Sequence, residues 1–192
     1  MRGRRRVLAG FLPLLCWPLL CWPLLCWPLL ACLSPAIAQP APGQRGSCPV
    51  AIAFEPLVVR SAVGISNHLH GVVVVGGDGF EANPSGSFPN WGHLVGRRRD
   101  LGRRPLKDGH VQRFAGYAPW PCADALRRAE RATAEVNAAR LPYAPAPELQ
   151  WNAVNSNSFA YYLVGKLGLA PPSPPPPALY GWAPGYNSAI RD

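Results

Sequence analysis

The chain has 192 residues, 24 of them proline and 19 glycine, which excludes a fold dominated by long uninterrupted helices and suggests one domain with extensions. Basic residues number 19 against 10 acidic ones, a net charge of +9 with His neutral, and 48% of the chain is hydrophobic. Part of that apolar content lies at the start, in a segment expected to stand outside the fold.

Residues 1–38 read as a secretory signal peptide. Four arginines precede a long uncharged stretch, and Ala36-Ile37-Ala38 offers small residues at the two key positions before a cut. Inside it "PLLCW" repeats three times, from Pro13 to Trp27, as expected where only mean apolarity matters. The cysteines and tryptophans there are poor candidates for chemistry. Cleavage after Ala38 is the expectation. The alternatives are a retained membrane anchor, a lipoprotein anchored at Cys32, and a twin-arginine signal at Arg4-Arg5. A proline every five residues argues against a stable spanning helix. Export to a periplasmic or extracellular space follows.

Without the leader the chain carries 15 basic and 10 acidic residues, a net charge of +5, and keeps only Cys48 and Cys122 of six cysteines. In an oxidising compartment that pair is expected to form a disulfide. Two buried thiols are the alternative.

Residues 39–47 form a flexible lead-in, and residues 48–169 the expected domain. "PVAIAFEPLVVR" at 49–60 contains two short strand-like runs broken by Pro56. The strongest strand is "LHGVVVVGGDGF", Leu69 to Phe80, whose four valines fit a strand buried on both faces. Gly76-Gly77-Asp78-Gly79 supplies a tight turn, and Phe80-Glu81-Ala82-Asn83 returns as a short partner strand. Residues 84–109 read as loops, and "HVQRFAGY" at 110–117 as a weaker strand. A helix is expected over 123–140, where Leu126, Ala129, Thr133 and Val136 recur at helical spacing. A second runs from Asn155 to about Leu167, with Gly168 as its stop. Residues 170–178 are a proline-rich spacer, and 179–192 an aromatic segment with Tyr180, Trp182 and Tyr186 that is able to fold back.

The segment Asn155-Ser156-Asn157-Ser158 raises the question of chemistry. With Asn155 as N-cap, Phe159, Ala160, Leu163 and Leu167 share one arc. Ser156 lies inside that arc, Asn157 at its margin, and Ser158 points away. A helix N-terminus offers unpaired N–H groups and the positive end of a dipole, which suit an anionic oxygen. A plain cap with Ser156 as a small buried residue accounts for the same pattern. His68 and His70 share one face of the strand start, and histidine is the usual base for a serine.

Together these blocks resemble the permuted papain-like superfamily, in particular its lecithin retinol acyltransferase-like branch. That branch carries H-W-A-x-Y-x-G-D-G-Y, then a polar residue three positions on, and later N-C-E-H-F at a helix start. Here His70 to Phe80 matches the first motif with one extra residue, Asn83 stands three positions after Phe80, and Asn155 to Phe159 matches the second. The same stretch is similar to an N-S-N-[ST]-F block of uncharacterised bacterial proteins. The resemblance implies an α+β domain in which a small antiparallel sheet packs against the helix carrying the nucleophile position. It implies a hydrolase or acyltransferase acting on an amide or ester bond, with Ser156 as nucleophile, His70 as general base and Asn83 orienting the imidazole. Ser156 stands where the family has cysteine, and a hydroxyl is a weaker nucleophile than a thiolate. The alternative is a catalytically inactive binding module of the same fold, holding a cell-envelope ligand.

Glu81 is the alternative orienter, set second because alternation places it opposite Phe80. His68 and His70 with His93 or His110 form a possible metal set, although no second ligand motif accompanies them. No cofactor is called for. Arg97, Arg98, Arg99, Arg103, Arg104 and Lys107 form a basic run expected in a loop. In an exported protein it suits an anionic lipid, glycan or cell-wall polymer, and nucleic acid is not expected.

Overall fold

The computed structural model describes residues 47–61, 64–147, 152–181, 183–187 and 190. The signal peptide, nearly all of the lead-in, the Cys32 alternative and Trp182 lie outside the described residues. Among the described residues no helix is long and apolar enough to cross a membrane.

The domain is α+β. Its strands are β1 (Cys48–Ser61), β2 (Gly64–Val75), β3 (Asp78–Pro84), β4 (Leu94–Arg99) and β5 (Val111–Ala118). They form a five-stranded sheet in the order β4-β3-β2-β1-β5, antiparallel throughout. The helices are α1 (Cys122–Ala139), α2 (Ser156–Lys166) and the short α3 (Pro177–Tyr180).

The β2–β3 hairpin follows the expectation. Gly76 and Gly77 have φ of 57° and 103°, the positive values a two-residue turn demands of both central positions. Two other elements differ from it. The run 49–60 is one strand and not two. β5 pairs β1 only as far as Phe54, so Pro56 sits where β1 has a neighbour on one side, a position that tolerates a missing N–H. Residues 94–99, read as loop, form β4.

One face of the sheet is apolar. Val50, Ile52 and Phe54 of β1, Val73 and Val75 of β2, and Phe80 and Ala82 of β3 are fully buried there. α1 and α2 cover this face with Ala125, Ala129, Phe159, Ala160 and Leu163. Small residues bring the layers close. A Cβ on Gly71 would lie 2.9 Å from that of Ala160, and one on Gly96 would lie 2.8 Å from Thr133 Cγ2. Cys48 and Cys122 form a disulfide that ties the start of β1 to the start of α1, with Cα atoms 4.6 Å apart.

Candidate functional site

α2 begins where the sequence places it. Asn155 is the N-cap, and its Oδ1 accepts from Asn157 N at 2.9 Å and Ser158 N at 3.1 Å. Ser158 Oγ accepts in return from Asn155 N, completing a capping box. Ser158 was expected to point away, yet it is fully buried. The C-terminal segment folds over the helix start. Ser158 Oγ donates to Gly185 O at 2.9 Å, and Asn155 Nδ2 and Asn157 Nδ2 both donate to Pro184 O. Tyr186 fills the corner between Phe54 and Tyr161, each ring centroid 5.4 Å from its own. An isolated helical wheel contains no such neighbour.

Ser156 is buried, 5% exposed, at the first position of α2. Its carbonyl oxygen and Asn157 Oδ1 face Gly71 of β2. His70 faces the other way. The register pairs Phe54 with Gly71 and Glu55 with His70. Phe54 lies in the core and Gly71 against α2, so period-two alternation turns Glu55 and His70 to the opposite face. Alternation therefore sets the His70 side chain on the face of the sheet opposite the one that α2, with Ser156 at its start, covers. The physical reason lies in the motif itself. Gly77, before Asp78, stands seven positions after His70, and a one-residue change of phase along a strand flips a side chain to the other face.

On its own face His70 has a different partner from the one expected. Its Nε2 lies 3.5 Å from Glu81 Oε2. Asn83, expected to hold the ring, makes no bond to it, and Asn83 Nδ2 is buried without a partner. Alternation does set Glu81 opposite Phe80, but His70 stands opposite Phe80 as well. Glu81 is the centre of a charged cluster. Arg97 Nη2 approaches it to 2.8 Å, Arg99 Nη1 to 3.3 Å and Arg104 Nη1 to 3.8 Å. Burial opposes ionisation of Glu81, but hydrogen bonds from His70 and Arg97, and their charges, outweigh it and hold the carboxyl down at about 2. Arg99 is buried and also pairs with the fully buried Glu55 at 2.9 Å. Lys107 N donates to Glu55 Oε1 at 3.0 Å.

The expected basic loop thus divides. Arg97, Arg98 and Arg99 belong to β4 and have acidic partners, Arg98 binding Asp78 and Glu130 on the helix-covered side. Arg103 pairs with Asp100. Arg97 and Arg104 keep about half their side-chain surface open, 51% and 52%. Together with Lys107 they border an open cavity of about 560 Å³ whose wall includes His70, Glu81, Asn83, Trp91 and Tyr143. That volume falls within the range of small-ligand sites. Ser156 does not line it. Trp91 and Tyr143 come from loops, with ring centroids 6.1 Å apart, and their sequence surroundings give no sign of the cavity.

The four histidines do not gather. His93 Nδ1 meets Ser85 Oγ at 3.0 Å, and His110 Nδ1 meets Lys107 O at 2.9 Å. Among the described residues no group of three metal-ligating side chains is placed to hold an ion.

No family model matches this chain, and neither a curated protein nor a solved structure is significantly similar to it.

Proposed function

We propose that this chain is an exported binding module that holds an anionic cell-envelope ligand in the cavity on the open face of its sheet. The carrying observation is the convergence of Arg97, Arg104 and Lys107 on a cavity that also presents the aromatic side chains Trp91 and Tyr143. Half-open guanidinium groups attract an anion while keeping their place through Glu81. The permuted papain-like scaffold belongs to the same reading. A hairpin whose Gly76-Gly77 turn leads into Asp78-Gly79, packed against a helix capped by Asn155 and starting at Ser156, supports it in outline. Ser156 is then a retired nucleophile position, serving as a small residue under the capping box. The disulfide supports export.

Equilibrium titration of the protein with anionic polysaccharides at low and high salt tests the proposal. Binding is expected to weaken with salt, and to fall together in Arg104→Ala and Lys107→Ala while Ser156→Ala stays unchanged. Ester or amide turnover abolished by Ser156→Ala would instead restore the hydrolase or acyltransferase reading, with Ser156 as nucleophile and His70 as base.

A further inference from the structure

The cavity contains more than a binding site needs. His70 is a mid-strand imidazole whose Nε2 faces the Glu81 carboxylate at 3.5 Å. A carboxylate that faces Nε2 orients the ring and makes Nδ1 the nitrogen that can act as a base. Asn83 contributes a buried N–H group without an acceptor on the same wall. Arg97 and Arg104 bring positive charge to the same place. Tyr143 brings a hydroxyl, and burial pushes its pKa upward, so it keeps its proton at neutral pH.

Resting on the binding reading above, we propose that this cavity is a lyase site that cleaves acidic polysaccharides built from uronate sugars by β-elimination. The chemistry demands three functions, and residues that line the cavity supply each. The ring carboxylate needs neutralising so that the proton on the adjacent carbon becomes removable, and Arg97, Arg104 and the orphan Asn83 N–H suit that carboxylate. A base must take that proton, which is the role of His70. The C–H electron pair then forms a double bond to the neighbouring ring carbon, and that carbon's bond to the glycosidic oxygen breaks. The departing oxygen takes the proton of the Tyr143 hydroxyl. His70 afterwards returns its proton to the tyrosinate through solvent, which restores both groups. The products are an unsaturated uronate and a new chain end, with no water, metal or redox partner consumed.

Elimination fits this cavity better than hydrolysis through a covalent intermediate. Among the described residues no serine, threonine or cysteine lines the wall, and its carboxylates are tied to arginines. Trp91 offers a flat apolar face of the kind on which a sugar ring stacks.

The test uses the exported protein with soluble polygalacturonate, polymannuronate and hyaluronate, and single-stranded RNA as a polyanion without uronate. The readout is the ultraviolet absorbance of the conjugated alkene, with binding measured in parallel. Alkene formation on at least one polyuronate is expected. It should fall about 100-fold or more in His70→Gln and in Tyr143→Phe, well beyond any accompanying loss of ligand binding or thermal stability. Tyr143→Phe removes a single oxygen, so it remains informative if His70→Gln folds poorly. Polyuronate binding with no alkene from any substrate would overturn the lyase and leave the binding module standing. RNA bound in preference to every polyuronate would also overturn it. Failure to bind any of the polyanions would remove both readings.

Discussion

Glu81→Gln tests the charged face most directly. The Glu81 carboxyl is held at about 2, against 4.5 for an ordinary glutamate. One pKa unit corresponds to ~1.4 kcal/mol, so the ionised carboxylate stabilises the folded chain by roughly 3 kcal/mol relative to a group with no folded-state partners. The folded pKa lies below the unfolded one. This stabilisation is therefore fully present above about pH 5 and is lost as the pH falls from 4.5 towards 2. Replacing the carboxylate by an amide keeps the shape and removes the charge from between Arg97 and Arg99. Urea unfolding followed by tryptophan fluorescence, at several pH values from about 7 to about 2, reads the effect. At neutral pH the variant should be less stable by about 2–3 kcal/mol. That gap should stay flat to about pH 5 and then close, because a protonated Glu81 and a glutamine are nearly equivalent. Other acids titrate in both proteins and cancel in the difference. A gap that stays constant down to about pH 2, or one absent at neutral pH, would refute the assignment of Glu81 as the anchor of His70 and the arginines.

Three other perturbations reach the rest of the fold. The double change Cys48→Ser, Cys122→Ser opens a loop with a separation of 74 residues and should lower stability by about 4 kcal/mol in thermal or urea unfolding, and the unfolded, non-reduced parent should show neither of these thiols free. Asn155→Ala removes the α2 cap, strands the carbonyl of Pro145 and leaves Pro184 O with one donor in place of two, a cost of about 2–4 kcal/mol, whereas Asn155→Asp keeps the acceptor and should lose less by the same measurement. Intact-mass measurement of the exported protein should find a chain beginning at Gln39, and a lipid-modified Cys32 at its start would replace that expectation with an anchored protein.

The elements written in local pattern were legible. Four valines before a glycine-rich turn gave the β2–β3 hairpin, apolar spacing gave α1, and Asn155 marked the start of α2. β4 was not legible, for an electrostatic reason. Its Arg97, Arg98 and Arg99 look like a solvated loop because their partners Glu81, Asp78 and Glu55 lie far back in the chain. Gly96, which reads as a loop residue, is there to make room for Thr133 and Phe159. The burial of Ser158 was hidden for a similar reason, since its cover comes from Gly185. At the site, the sequence pointed to His70 as a special residue, but its facing depends on strand phase, which a one-residue difference inverts. Glu81 was within reach of the same alternation argument applied to His70. Trp91 and Tyr143 were not, because loops deliver them to the cavity.

The disulfide from Cys48 to Cys122 encloses every strand of the sheet within one covalent ring, since β1 begins at Cys48 and β5 ends at Ala118. The export proposed above would expose the chain to proteases, whose natural targets are the exposed turns between β3 and β4 and between β4 and β5. A single cut at either place yields two pieces that remain joined through sulfur and through the β1–β5 ladder. Such a clipped molecule runs at full size until a reductant is added. The staple thus gives this fold tolerance to nicking that its hydrogen bonds alone would not provide, and it makes the redox state of the surroundings the determinant of how long a damaged copy survives.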